Sequence, residues 1–521
     1  MEHEKDYVDF SKSDDVNGLA GKFFYRFFES LPALLSLGTL LAIFVLSWRI
    51  PATIAFFVIA FDLYWLLRII YLSAYQISGY KKMRENLKID WLEKVRKLKT
   101  GEINEDLGIK LWGDLYHLII LPFCKEGEEV VASTIRSLRD SKYPKEKIIV
   151  VLSGEERAGE GAKKITENLG RKFNSDFFKF IFTVHPKAIS GEIAGKGSNA
   201  TWALKKAKEF IDGQKIPYER VIVSSFDVDT RAFPQYFSCL AWNYLTARKP
   251  LRESFQPIPV YNNNIWDAPS FSRIISFSGT FWQMMQQERE EQLVTYSSHA
   301  IPFKVLAEVG YPSNIVSDDS RIFWKAYLHY DGNYRAVPLH YPISMDAVLS
   351  ENTIKTMVSQ YKQQRRWASG VENIPYLFYG FLKNKKIKLR DKIYHSFVIL
   401  EGFWSWAVAA LLIFLLGWLP LMLGGKEFND TLLSYNLPRL TSYIMTIAMV
   451  GMVVSAVISI LILPTERVGN GMRKKLFIFF QWFFLPITLI AFGAFPALES
   501  QVRLMVKKPL GFWVTEKTRK L

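Results

Sequence analysis

The chain has 521 residues, 49% of them apolar, with 66 Lys+Arg against 50 Asp+Glu and a formal charge of +16. The apolar residues gather in long runs towards both ends, which excludes a purely soluble protein, and two cysteines, Cys124 and Cys239, exclude a disulfide scaffold. The polar, acidic stretch 1–17 does not read as a secretory signal, and basic residues sit beside apolar runs as membrane flanks do, not as a nucleic-acid surface.

Five segments are long and apolar enough to predict spanning helices: 31–48, 52–72, 402–423, 440–464 and 476–498. The first two are joined only by Arg49, Ile50 and Pro51, which predicts a tight hairpin; the second carries Asp62 and Arg68, charges that need partners or an interface. Residues 73–100 follow with eight Lys/Arg against three Asp/Glu, and 376–395 carry six against one. By the positive-inside rule these flanks, and the polar region between them, are expected in the cytoplasm. The tail 499–521, with six Lys/Arg against two Asp/Glu, asks for the same side. Three spans after a cytoplasmic domain would put it on the other. Pro486 and Pro496 interrupt the last segment, which is therefore the candidate for a re-entrant or interfacial course.

The middle, about 110–375, alternates strand and helix signals. YHLIILP (116–122), KIIVVL (147–152), FKFIFTV (178–184) and ERVIVSSF (219–226) are short β-branched runs, separated by helical stretches such as 128–139 and 198–210. That pattern predicts a parallel sheet covered on both faces, with ligands at the carboxyl ends of its strands. The second strand ends in Glu155 and Glu156, the fourth in Asp227-Val228-Asp229. Two carboxylates just past a buried strand suit a hard divalent cation on a diphosphate, though the same pattern often merely caps a turn. Gly195-Lys196-Gly197-Ser198-Asn199 opens a helix, whose N-terminus and lysine favour a phosphate. Asp318 and Asp319 precede a helical run, either as a cap or as a general base for an acceptor hydroxyl. In Gln363-Gln364-Arg365-Arg366-Trp367 the spacing puts Gln363, Arg366 and Trp367 on one helix face, which also suits a plain interfacial helix.

Taken in order, the glycine-bearing loop, Asp227-x-Asp229, Asp318-Asp319 and Gln363-x-x-Arg366-Trp367 in one α/β domain framed by membrane helices resemble the membrane-bound family 2 glycosyltransferases, the group of cellulose, chitin and hyaluronan synthases. Phe512-x-Val514-Thr515-x-Lys517 resembles the substrate-gating segment of bacterial cellulose synthase. The resemblance implies a GT-A fold, Rossmann-like, at 110–375, inserted between a membrane hairpin with its basic flank (1–100) and a membrane region (394–498) with a basic tail (499–521). It implies an inverting, metal-dependent transferase that moves a sugar from a nucleotide diphosphate, with a UDP-sugar expected, to a growing β-linked glycan. Transfer of one sugar to a lipid or polyprenyl acceptor is the alternative, and a receptor or scaffold with a silent transferase domain is the reading from another class.

By the same resemblance Asp229 holds Mg²⁺ or Mn²⁺ with Asp227, which also binds the nucleotide sugar, and Asp319, beside Asp318, is the base. Gln363, Arg366 and Trp367 form the acceptor and diphosphate end, and Lys196 belongs to the nucleotide loop. Phe277-Ser278-Gly279-Thr280 matches the acceptor-side strand, with Gly279 and Thr280 at the substrate, while Phe512, Thr515 and Lys517 gate it. Glu155 or Glu156 stands where the family has an aspartate for the nucleotide, and Asp318 where glutamate is commoner. The partners implied are the donor, a glycan or lipid-linked acceptor, the bilayer and no nucleic acid; the expected location is a prokaryotic plasma membrane with the catalytic domain in the cytoplasm.

Overall fold

The computed structural model describes residues 6–464, 471–508 and 510. The four apolar runs of the middle form parallel strands β1 (Tyr116–Pro122), β2 (Ile148–Glu155), β3 (Lys179–His185) and β4 (Val221–Ser225). β1 pairs with β2 on one side and β4 on the other, and β3 lies beyond β2, so the sheet changes direction of growth between β1 and β4. Alternate side chains feed two cores: Ile119, Leu121, Val150 and Leu152 on one face, Leu118, Ile120, Ile149 and Val151 on the other. A sheet buried on both faces needs such near-continuous apolar strands.

The second half is not parallel throughout. β5 (Arg231–Ala232), β6 (Glu253–Tyr261), β7 (Ala300–Pro302) and β8 (Arg335–Met345) complete a mixed eight-stranded sheet in the order β3-β2-β1-β4-β7-β6-β8-β5. β7 runs antiparallel to β4 and β6, whereas β6 and β8 are parallel, with a register shift between Gln256 and Ile258. Pro257, Pro259, Pro338 and Pro342 lie inside these two strands and donate nothing to the ladder. A second correction concerns 277–280. These residues lie in the helix Ser270–Gln287, not in a strand, because Ile274, Phe277, Phe281 and Met284 recur at helical spacing along one buried face.

Five helical segments are long and apolar enough to cross a membrane: Leu19–Arg49, Pro51–Asn86, Leu389–Phe414, Leu432–Leu461 and Met472–Met505. The third begins earlier than 402 and stops at Phe414; Leu416–Trp418 and Leu419–Leu423 are separate short turns. The fifth is broken into the helices Met472–Phe480, Leu485–Leu489 and Phe495–Met505, joined by a 3-10 turn and a π turn. Pro486 and Pro496 stand at the starts of two of these pieces, where a missing N–H costs nothing.

This fifth segment folds back. Near its start Arg273 of the α/β body donates to Gln481 Oε1 at 2.9 Å. Further on, the Phe271 and Phe492 rings stack with centroids 5.4 Å apart, and Arg365 pairs with Glu499 at 2.6 Å. At its end Arg26 donates to the Leu504 carbonyl at 3.2 Å and Lys507 lies 3.4 Å from Asp14. Lys507 thus lies beside the start of the first helix. Phe512, Thr515 and Lys517 lie outside the described residues.

Candidate active site

The carboxyl ends of β1 and β4 open onto a charged centre. Lys196 begins the helix Lys196–Gly213, and Gly197 beside it lets that helix end close in: an added Cβ would stand 2.4 Å from the Pro312 carbonyl oxygen and 3.0 Å from Asp318 Cβ. Lys196 Nζ donates to Asp227 Oδ1 at 2.7 Å and to Asp319 Oδ1 at 2.8 Å. One ammonium thus bridges an acid from the end of β4 and an acid from the start of the helix Asp318–His329. Burial opposes its charge, but Asp227, Asp319 and Asp318 more than offset this and hold Lys196 protonated above the usual lysine range.

Each acid pair is divided. Asp227 and Asp319 keep 24% and 25% of their side-chain surface open, whereas Asp229 is 2% exposed and Asp318 4%. Asp229 Oδ2 accepts the backbone N–H of Asp346 at 2.9 Å, just past β8. Asn263 ties the two together, donating to the Asp346 carboxylate at 2.8 Å and the Asp229 carbonyl at 3.1 Å. Asp318 accepts from the Tyr311 hydroxyl at 3.1 Å. Burial, then the negative charges of Asp319 and Asp227, push its carboxyl up to about 8, so it is largely protonated at neutral pH. The base candidate with an open carboxylate is Asp319.

Three residues that the sequence motifs did not single out complete the centre. Ser297 donates to Asp227 Oδ2 at 2.6 Å. His299 Nδ1 donates to the Tyr296 carbonyl at 2.9 Å and lies 3.6 Å from Asp319; its Nε2 has no hydrogen-bond partner among the described residues. Burial and Lys196 hold this imidazole neutral, its pKa lowered despite the Asp319 charge. Tyr261, at the end of β6, has its hydroxyl pKa raised by burial and by Asp227 and Asp229, with the Arg366 charge pulling the other way. The only clue in the sequence was the polar run Thr295-Tyr296-Ser297-Ser298-His299 ahead of a short apolar strand, and it has no distinctive spacing.

The helix Thr353–Ala368 brings the membrane side to this centre. Its two arginines part: Arg365 turns to Glu499 of the fold-back segment, leaving Arg366 on the side of Tyr261. Trp367 lies against the Tyr261 ring, centroids 6.0 Å apart, and Gly279 leaves space for both rings, an added Cβ meeting them at 4.0 and 3.4 Å. Thr280 Oγ1 accepts the Tyr261 N–H at 3.3 Å. Gly279 and Thr280 therefore adjoin the site, from a helix. Gln363 is buried and accepts from Gln360 Nε2 at 3.1 Å, so its carbonyl is already engaged.

At the end of β2, Glu155 is buried and paired with Arg157, opposite His185 in β3. Burial raises its carboxyl pKa against the pull of Arg157. Glu156 is exposed and accepts the Lys187 N–H at 2.8 Å. Of the two, Glu155 faces the sheet and Glu156 the rim.

Among the described residues no cluster of three or more His, Cys, Asp or Glu stands ready to hold a metal ion. The hard-oxygen donors nearest to such a role are Asp227, which is open, and Asp229, which is buried against the Asp346 N–H. Asp227, with Asp229 behind it, supplies hard carboxylate oxygens past one strand end, and Lys196 already supplies a positive charge at that position.

No protein-family model matches this chain, and no curated protein matches it by sequence. Solved structures do. A mannosyltransferase of Pyrobaculum calidifontis, in complex with GDP-Man and Mn2+, aligns with 87% of this chain and 100% of its own at 13% identity and a TM-score of 0.41. Residues 1–349 of TarS from S. aureus, in complex with UDP, align with 66% of this chain and 90% of their own at 11% identity and a TM-score of 0.35. GalNAc-T7 with UDP, GalNAc and Mn2+ aligns with 55% of this chain and 57% of its own at 12% identity and a TM-score of 0.32. At such scores these likenesses carry no weight for function.

Proposed function

We propose that this chain is an integral membrane glycosyltransferase of GT-A type, akin to membrane-bound family 2. It moves a sugar from a nucleotide diphosphate, with UDP the favoured carrier, to an acceptor hydroxyl. The observation that carries this reading is Lys196 bridging Asp227 and Asp319 at the strand ends, in a body whose Tyr261 ring packs on Trp367 of the Gln363–Trp367 motif. A diphosphate entering there meets an ammonium, a guanidinium and a helix N-terminus. As it draws Lys196 away, the Asp319 carboxylate is freed to take a proton. The acceptor O–H then gives its proton to Asp319 while its oxygen bonds to the anomeric carbon. The bond from that carbon to the diphosphate oxygen breaks, and the nucleoside diphosphate leaves from the opposite face, with inversion. Mg²⁺ or Mn²⁺ held by Asp227 and Asp229 would add charge to stabilise the leaving diphosphate.

Trp367 offers a flat apolar face for a pyranose, which suits a growing glycan whose end is regrasped after each addition. By the positive-inside rule the basic flanks support a cytoplasmic α/β body, and the family resemblance supports a prokaryotic plasma membrane. Transfer to a lipid-borne acceptor is the second reading, favoured by the tie between the helix that bears Trp367 and the last membrane segment, where Arg365 pairs with Glu499. The test is incubation with a panel of nucleotide sugars, reading released nucleotide and sizing the product. Release with a ladder of products is expected, and Trp367→Ala should lose the ladder while keeping donor hydrolysis. A single added sugar at every donor concentration would overturn the polymer reading, and a silent protein would favour a receptor or scaffold.

A further inference from the structure

The helix Asp318–His329 starts behind a serine that does not cap it. Serine is a favoured N-cap, yet the Ser317 side chain makes no capping bond to its own helix. Its hydroxyl and its backbone N–H both donate instead to Glu372 Oε1, at 2.8 and 3.0 Å. Glu372 ends the 3-10 turn Ser369–Glu372, which continues the helix Thr353–Ala368 directly past Trp367. Asn373, next in the chain and buried, donates to Ser317 Oγ at 3.3 Å and to Ser320 Oγ at 2.9 Å. Its own carbonyl accepts from Arg321 Nε at 2.7 Å. Arg321, also buried, donates Nη2 to the Glu372 carbonyl at 3.0 Å and lies over the Tyr376 ring, 3.9 Å from its centroid. The stretch before the first helix joins in: Arg321 Nη1 donates to the Phe10 carbonyl at 3.3 Å, and Lys325 pairs with Asp9 at 2.8 Å. A half-paired polar network would cost more than an apolar contact, but Ser317, Arg321, Glu372 and Asn373 leave no buried side-chain atom without a partner.

Two adjacent residues beyond Trp367 therefore hold the first turn of the other helix at both of its ends, Ser317 and Arg321, with Asp319 between them. We infer that Glu372, with Asn373 and Arg321, is a positioning residue that keeps the Asp319 carboxylate in register with the acceptor end at Trp367. The inference rests on the transferase reading above. A base must come within about 3 Å of the proton it takes, and a misplacement of about 1 Å can cost about 10²-fold. Tying the two helices together directly makes the base and the indole platform one rigid unit. Lys196 and Asp227 belong to other elements, so the donor's end of the site should not depend on this tie.

The test is how turnover divides between transfer and hydrolysis. Released nucleotide counts every turnover, and sugar found in the product counts those that reach the acceptor. Water is small enough to meet a displaced base, whereas a hydroxyl held on a fixed platform is not. Glu372→Ala should therefore lower transfer by about ten-fold or more and raise the share of donor lost to hydrolysis, with donor affinity kept. Glu372→Gln retains an oxygen that accepts from Ser317 and should restore most of the transfer. Ser317→Ala keeps the backbone contact to Glu372 and should shift the division in the same direction by less; it serves where Glu372→Ala does not fold. Hydrogen exchange at amides 317–321 should quicken in Glu372→Ala while β1 and β4 stay protected. An unchanged division in both variants, or equal loss of transfer and donor affinity, would overturn the inference and leave Glu372 a plain brace. An unaltered protein that releases no nucleotide overturns the transferase reading and the role of Glu372 with it, whereas an active one with an unchanged division in the variants overturns that role alone.

Discussion

The two acid pairs of this protein, Asp227/Asp229 after a strand and Asp318/Asp319 at a helix start, solve one problem with different backbones. In each, one carboxylate is open and shares Lys196, while the other is turned inward onto a fixed donor, the Asp346 N–H or the Tyr311 hydroxyl. The buried member orders the loop that presents the open one. The difference lies in charge. Asp318 sits in a pocket with two other acids and keeps its proton, so the helix pair presents one anion rather than two. Spacing alone did not say which acid of each pair would be open; the packing behind each did.

The largest effect that would sharpen this contrast is at the strand pair. Asp227→Ala should abolish turnover and donor binding together, and excess chelator should do the same to the unaltered protein, because the diphosphate loses its counter-charge. Full activity in chelator would remove the metal reading. Lys196→Gln comes next. It leaves Asp227 and Asp319 without their shared cation, so donor affinity should fall about ten-fold or more while the protein stays folded, as titration of donor binding would report. Unchanged affinity would make Lys196 a purely structural bridge.

The smallest effect is a control on pH away from both pairs. His117 is wholly buried in β1, and burial lowers its pKa to about 3. The unfolded chain protonates this ring below about 6.5 and the native chain does not, so the stability its neutrality contributes is present above that pH and lost as pH falls towards 3. His117→Phe should remove about 2 kcal/mol of the loss in unfolding free energy between pH 7 and pH 5. Asp318 acts in the opposite sense: its folded pKa is raised, so its contribution fades as pH rises through about 8. Acid sensitivity that survives His117→Phe in full would show that other groups govern it.

Much of this was legible in the sequence. YHLIILP (116–122) is β1 residue for residue, since a short β-branched run has few other options, and the Gln363–Trp367 motif does lie on a helix, Thr353–Ala368, capped by Asn352. Lys196, Asp227 and Asp319 were named from type and position and meet in one centre. β6 was not legible, because two prolines in nine residues mask a strand that tertiary pairing with β8 enforces. Gly279 and Thr280 were placed in a strand because a short motif outweighed the helical spacing around it. Ser297 and His299 reach the site only through the β7 turn, a long-range fact with no local signal. The folding back of the last apolar segment was foreshadowed by its prolines and its basic tail, but its partners Arg273, Phe271 and Arg365 lie far off in the chain.

The claim that Asp319 is the open base and Asp318 its neutral support is tested most directly by measuring donor binding and sugar transfer separately in Asp319→Asn and Asp318→Asn. An amide keeps the shape of Asp319 but takes no proton, so transfer should fall by at least about 10²-fold with donor affinity kept. An amide also mimics a protonated carboxyl, so Asp318→Asn should be mild in both measurements. The reverse pattern, a silent Asp318→Asn beside an active Asp319→Asn, would contradict the assignment of the base.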